Sequence, residues 1–351
     1  MRFERFVHEC PCCRHSLALI DQELGLSPHE NISRRVLELV AWKGARESFS
    51  DASEDLRHCH GLKVSSSEVA RIVHAEGRRV AQFLEERDER WSEPVVTDHP
   101  VFAPEFVSDR LVVEVDGAVV LTREGEEHKT VWVARAFDLS CRSADGSGRA
   151  QLSDSRYAAV AGDLEEFKYR VDALANRMGA RSARHMAVVA DGAPTLWNLL
   201  SERLPNAVQI QDFWHVSEHL HGLAKDLLGE QKAEARERGE AWASLLWDGR
   251  LDDLIDQLEQ EHRRRRGEKR ERLRREIAYI EAGRHRMDYP RYREHGWPIG
   301  SGAVEGACKH LVKERLGITG ARWKRKDLPH VLALRTAQFN NDWEKLWPKA
   351  A

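Results

Sequence analysis

The sequence predicts an α/β protein: a sheet domain interrupted by an all-α block and preceded by a small, mostly helical segment. Three patterns carry this reading. Strand-length runs rich in Val, Trp and Phe begin near residue 108 and then alternate with helical periodicity. Residues 217 to about 285 show only helical stripes. Before residue 90, apolar positions recur at helical spacing with capping residues between them.

At 351 residues the chain has room for two or three domains. Its 41% hydrophobic residues support a packed core, and 32% charged residues mark a soluble protein. No stretch approaches the ~18 uninterrupted apolar residues of a membrane span. The opening Met-Arg-Phe-Glu-Arg-Phe-Val-His lacks the apolar core of a secretory signal, and six cysteines do not form a disulfide scaffold. The cytoplasm is the expected compartment.

Taken in order, Cys10-Pro-Cys-Cys13 is a Cys-x-x-Cys knuckle with His15 and His58-Cys59-His60 as further ligand candidates. Val36, Leu37, Leu39 and Val40 mark one helix, and Phe49, Ala52 and Leu56 mark the next. Ser65-x-x-Glu68 is a capping box ahead of Val69, Ile72, Val73, Val80 and Leu84. With Gly61 in the turn, these helices suggest helix-turn-helix, residues 65 to 80 being the recognition helix. Trp91 to Pro104, with three prolines, reads as the linker that closes a domain of residues 1–105.

Strands are expected at 111–116, 118–121 and 128–137, with a turn at 123–127. On the first, Val112, Glu114 and Asp116 share one side. A helix near 161–178, a strand at 186–190, a helix from Leu196 stopped by Pro205 and a short strand at Val208 and Ile210 follow. Asp212-Phe-Trp-His215 then opens a long helix. Hairpin strands followed by strand–helix alternation make a sheet of the ribonuclease H type. The sheet domain accordingly comprises 106–216 and 297–351, split by a helical insertion at 217–296.

Three acids stand where two-cation chemistry needs them. Asp116 and Asp191 each end an apolar run and precede a Gly, and Glu305 lies at the start of a helix after Gly-Ser-Gly. Strand ends are where sites collect in α/β sheets, and carboxylates are the preferred anchors for Mg²⁺. Either Asp-Gly alone reads as a strand-terminating turn, and Glu305 alone as a first-turn acid that suits the helix dipole. Together they point to phosphoryl transfer assisted by a metal pair. Ser301 is placed to cap the Glu305 helix, and Glu305, Lys309 and Lys313 form one stripe at i, i+4 and i+8. Val304, Ala307, Leu311 and Val312 form its apolar stripe.

Net charge is −3, but basic residues cluster at Arg263–Arg275 and at Arg322, Lys324, Arg325 and Lys326 beside Trp323. The first cluster reads equally as a solvated helix face of mixed sign and as a DNA contact. The second, just beyond Glu305, points to a polyanionic substrate.

The motifs Val-Val-Glu-Val-Asp116-Gly, Val-Val-Ala-Asp191-Gly, Asp212-Phe-Trp-His215, Pro-Ile-Gly-Ser-Gly-Ala-Val-Glu305-x-x-Cys-Lys-His and Gly320-Ala-Arg-Trp323 together resemble bacterial insertion-sequence DDE transposases. Among these the resemblance is to Kra-type elements, related to Mutator-like transposases, over roughly residues 10 to 340. It implies a ribonuclease H-like catalytic domain with an all-α insertion and a mostly helical N-terminal DNA-binding domain. It implies a triad of Asp116, Asp191 and Glu305 holding two Mg²⁺ ions, or Mn²⁺, with Asp212 and His215 matching the family's (Cys/Asp)-x-x-His motif near the site. Cys10 to Cys13 and Asp21-x-x-Leu-Gly-Leu26 look like the second half of the family's zinc ribbon, which makes Cys10 and Cys13 Zn²⁺ ligands. The implied partner is double-stranded DNA, both terminal inverted repeats and target, bound by a homodimer or higher homo-oligomer in the nucleoid of the bacterial cytoplasm. Trp242 and Trp247 are candidates to stack on an unpaired base. The alternatives are a catalytically silent, transposase-derived DNA-binding protein and a host nuclease of the ribonuclease H superfamily.

Overall fold

The computed structural model describes residues 6–14, 16–17, 32–92, 103–123, 128–139, 142–144, 150–152 and 154–348. In chain order the first elements are β1 (His8–Glu9), β2 (Ser16–Leu17), α1 (Arg34–Gly44), α2 (Phe49–His60), α3 (Ser66–Glu89), β3 (Arg110–Leu121) and β4 (His128–Asp138). Then come β5 (Arg142–Ala144), β6 (Ala150–Leu152), β7 (Arg156–Ala161), α4 (Leu164–Arg177), β8 (His185–Ala190), α5 (Pro194–Arg203) and β9 (Val208–Gln211). The helical run is α6 (Phe213–Leu228), α7 (Ala233–Trp247), α8 (Leu251–Arg264), α9 (Gly267–Gly283) and α10 (Tyr289–Glu294). The chain closes with α11 (Gly302–Ala307), a π-helical segment Cys308–Lys313, α12 (Glu314–Leu316), α13 (Leu328–Phe339) and α14 (Trp343–Leu346). Two compact units emerge, one of Glu85–Val120 and His128–Lys313, the other of Met1–Leu84, Leu121–Glu127 and Glu314–Ala351.

The first unit is built on a five-stranded mixed sheet of order β7-β4-β3-β8-β9. β3 and β8 run parallel with Val113 opposite Val188 and Val115 opposite Ala190, and β8 runs parallel to β9. β4 and β7 are antiparallel, with Val133 opposite Ala159. Side-chain alternation divides the sheet. Leu111, Val113, Val115, Val188 and Ala190 bury one face against Phe167, Val171 and Leu174 of α4 and Leu196, Leu199 and Leu200 of α5. Val112, Ala187, Val189 and Ile210 bury the other against the helical run.

Two expectations change here. The strands foreseen at 111–116 and 118–121 are one strand, because Ala118 and Val120 are also buried and Gly117 lies against the Trp132 ring. β7 had no clear signal: Arg-Tyr-Ala-Ala-Val-Ala is alanine-rich, and at the sheet edge only Ala158 and Val160 of its six residues are buried. The helical run is also more than an appended block. Phe213, Val216, Leu220 and Leu223 of α6, Trp242 and Leu246 of α7, Leu254 and Leu258 of α8 and Leu273 and Ile280 of α9 share one core with the sheet's second face. A helix stripe must bury itself against something, and here it buries itself on the strands.

The second unit is helical. Ser33 and Ser48 cap α1 and α2, Gly61 ends α2 in the left-handed conformation at φ 65°, and Ser65 accepts from the Glu68 amide to start α3. α3 continues past residue 80, to Glu89. Residues from Glu314 onward pack in this unit rather than with the sheet, contrary to the expected 297–351 segment. Trp343 meets the Trp42 ring edge-on at 4.8 Å, Arg34 donates to the Leu346 carbonyl, and Gln338 donates to the Trp42 carbonyl. The aromatic carboxyl-terminal segment is thus the apolar cover that α1 lacked. Among the described residues, no helix is long and apolar enough to cross a membrane.

Candidate active site

Asp116 lies inside β3, not at its end, but it follows the last residue of β3 that pairs with β8. Asp191 directly follows β8. Val115 and Ala190 are opposite each other, so the two acids are the next positions along adjacent parallel strands. By alternation both follow residues of the α4/α5 face and so belong to the face covered by the helical run. Asp116 accepts from the Gly117 amide at 2.7 Å, and the buried Cys308 thiol donates to the same carboxylate. Burial raises the Asp116 pKa, and the charges of Asp191 and Glu305 push it further up. Asp191 accepts from the Ala193 amide at 2.9 Å, which fixes the turn into α5. The Tyr279 ring packs where a Cβ on Gly192 would stand, 2.1 Å from its nearest atom, so only glycine fits there.

Glu305 is exposed on α11, and the segment bearing it is held by groups that the spacing of acids did not reveal. Glu114, 1% exposed, accepts from the Val304 amide at 2.8 Å. Burial pushes its carboxyl up to about 8, so it is mostly protonated at neutral pH. Arg135 donates to the Ala303 carbonyl at 2.8 Å. Asp212 divides its oxygens: Oδ1 accepts from the Trp214 and His215 amides at 2.6 and 3.2 Å, and Oδ2 accepts from the Ser301 amide at 2.8 Å and from its hydroxyl. Asp212 therefore caps α6 while clamping the loop before Glu305. Ser301 does not cap α11 with its side chain, contrary to expectation; its hydroxyl is also 3.2 Å from Glu305 Oε1.

His215 is half-buried on α6, its ring 4.8 Å from that of His219, whose Nδ1 meets the buried Glu276 at 3.1 Å. His215, Glu114 and Glu305 line a cavity of about 560 Å³ together with Trp214 and Glu218. Asp116 and Asp191 lie outside that lining. Trp214 is 60% exposed, and the missing side chain of Gly300 leaves room for its indole. Among the described residues, the ligand atoms of Asp116, Asp191 and Glu305 do not all fall within 4.8 Å of one another.

Lys309 and Lys313 are exposed, but the helix becomes π-helical at Cys308, so the expected i, i+4, i+8 stripe with Glu305 is not on one regular α-helix. Val304, Ala307, Leu311 and Val312 are buried as the periodicity required. Arg322, Lys324 and Lys326 are exposed and Arg325 is half-buried, in the other unit, where Trp323 bonds to Leu121 in the backbone and donates its indole N–H to Leu316. In the 263–275 cluster, Arg263, Arg264, Arg265, Arg272 and Arg274 each pair with a Glu or Asp, the mixed-sign helix face. Trp242 is fully buried and donates to Gln257, so it cannot stack on a base. Trp247 packs on Phe213, and Arg293 lies over its ring.

Cys10 and Cys13 flank the turn between β1 and β2, where backbone amides of Cys13 and Cys12 lower the Cys10 pKa. No third ligand joins them among the described residues, and His15 lies outside those residues. Cys59 donates to Asp55 at 3.1 Å.

No known family profile matches the chain, and no curated protein matches it. Among solved structures the chain is similar to the Drosophila P element transposase strand transfer complex, at 9% sequence identity and a TM-score of 0.42, over 93% of this chain and 96% of that one.

Proposed function

We propose that this chain is a DDE transposase of the insertion-sequence type, cutting DNA at transposon ends and joining the freed 3′ hydroxyl to target DNA. One observation carries the reading: Asp116 and Asp191 take the next place after the paired Val115 and Ala190 on adjacent parallel strands, and Asp116 is within electrostatic reach of Asp191 and Glu305. The donor set fits Mg²⁺ or Mn²⁺, since all three side chains offer carboxylate oxygens and repel one another without a cation between them. Bound divalent ions supply activation of the attacking oxygen and stabilisation of the leaving one. The protein's own part is placement. Asp212, Glu114 and Arg135 hold the Glu305 segment, and Cys308 orients Asp116. Lys309, Lys313, Arg322, Lys324, Arg325 and Lys326 neutralise phosphates of the bound duplex, and the helix-turn-helix contributes contacts to the ends. The Kra-type grouping rests on the motif resemblance alone.

A catalytically silent DNA-binding derivative is the second reading, favoured by the incomplete approach of the three acids. The test begins with a search of the gene's flanks for inverted repeats, then measures cleavage of duplex DNA carrying them, in Mg²⁺, with Asp116→Asn and Asp191→Asn as controls. Nicking at the repeat ends that both substitutions abolish supports the transposase. Retained binding with no nicking under any divalent ion supports the silent derivative.

A further inference from the structure

We propose that His74, Asp327 and His330 bind one divalent ion of the zinc class, in a site separate from the acids of the sheet. Their ligand atoms all lie within 4.8 Å of one another, and among the described residues no other group of three His, Cys, Asp or Glu side chains meets that limit. Two helices supply them. His74 lies in α3, while Asp327 and His330, three apart at the start of α13, share a face.

A second observation points to a ligand. Nδ1 of His74 and Nδ1 of His330 are both buried without a hydrogen-bond partner. Buried polar atoms are seldom left unpaired, so each imidazole has a nitrogen open to a ligand. The rings are not stacked on each other, since they stand 6.0 Å apart at 61°. The frame is also held in place. At Gly77, one turn after His74, a Cβ would stand 2.4 Å from the His330 carbonyl oxygen, so the two backbones touch where the ligands converge.

The chemistry separates this site from the acid site. Two imidazoles and one carboxylate suit Zn²⁺ and its neighbours, and three protein ligands leave a position for water or an anion. Mg²⁺ prefers oxygen donors. His74 and Asp327 also line a cavity of about 600 Å³ with Arg123, Arg315, Arg322 and Lys324. Those four cations work against any divalent ion, so the two imidazoles and the carboxylate must supply its binding, and they favour an anion at the position left open. Neither the site nor its test depends on the transposase reading.

The experiment uses the full chain, stripped with a chelator and carrying Cys10→Ser and Cys13→Ser to remove thiolate ligands, in excess Mg²⁺ to occupy carboxylate sites. Titration with Co²⁺ should give a visible d–d band at one equivalent, with no thiolate charge-transfer band. Zn²⁺ should displace the Co²⁺ and raise the thermal midpoint by several degrees. His74→Gln and His330→Gln should each weaken Co²⁺ binding tenfold or more and remove the Zn²⁺-induced rise. An unchanged stoichiometry and affinity in the double substitution overturns the proposal. So does the parent showing no such band, or only at millimolar Co²⁺, a result that stands even if the Gln variants fail to fold.

Discussion

The sheet unit and the helical unit gather charge in opposite ways. On the sheet face, burial raises Glu114 and Asp116, and neighbouring acids push them further up, Asp212 and Glu305 at Glu114 and Asp191 and Glu305 at Asp116, while Arg135 opposes the rise at Glu114. In the helical unit, Arg123, Arg315, Arg322 and Lys324 line one cavity with His74 and Asp327. A formal charge of −3 hides both. Which charges a fold brings to one place decides what each region attracts: carboxylates crowd the first, while guanidinium and ammonium groups share the second with His74 and Asp327.

Breaking the acid region should have the largest effect. Asp116→Asn or Asp191→Asn is expected to lower strand cleavage by roughly 10³-fold, because charge stabilisation by a bound metal is worth several kcal/mol and each 1.4 kcal/mol is tenfold. Binding of end DNA, measured by gel shift, should stay within about twofold, since no basic contact is touched. Cleavage at the parental rate would remove these acids from the reaction.

Asp212→Ala probes placement instead of metal binding. It removes the α6 cap, costing about 1 kcal/mol of stability. It also frees Ser301, and a displacement of Glu305 on the order of 1 Å costs about 10²-fold in rate. Asp212→Asn, which keeps acceptor capacity for the amides, should recover part of that loss. If Asp212→Ala reduces thermal stability alone, with single-turnover cleavage intact, Asp212 is a cap and nothing more.

Neutralising Lys324, Arg325 and Lys326 together tests the basic region. Affinity should fall similarly for end and unrelated DNA, and the slope of log K against log salt should flatten by about one unit per lost phosphate contact. A selective loss of end recognition with the salt slope unchanged would mean that this segment reads bases.

The smallest effect concerns Glu114. Its folded-state pKa is raised from an ordinary 4.5 to about 8, so between those values the native state holds a proton that the unfolded chain has lost. Stability therefore falls as pH rises from about 4.5 to about 8 and levels off above. Glu114→Gln should abolish this decline, leaving the variant's thermal midpoint above the parent's by several degrees on the alkaline side. Parallel midpoint curves from roughly pH 5 to 9 would show that Glu114 does not titrate there.

Local pattern alone determined the strand β8 ending at Asp191, the helix opening after Asp212, the buried stripe Val304, Ala307, Leu311 and Val312, and the caps of α2 and α3. Each of these is decided by neighbours a few residues apart, through alternation, helical period or a capping hydroxyl. The places of Asp116, Asp191 and Glu305, each beside an apolar run or a glycine turn, are local features of the same kind. Only the tertiary structure decided that Asp116 sits within a continuous strand, since β4 pairing carries β3 past it. It also decided that the helical run and the sheet share a core, and that the chain after Glu314 packs with α1–α3. Glu114, Arg135 and Ser301 owe their roles to contacts between residues more than a hundred positions apart, or, for Ser301, to Asp212 from another helix. His74, Asp327 and His330 meet only because a glycine lets two helices touch. Such pairings leave no period in the chain, because their energy comes from burial and hydrogen bonding between segments that the sequence keeps far apart.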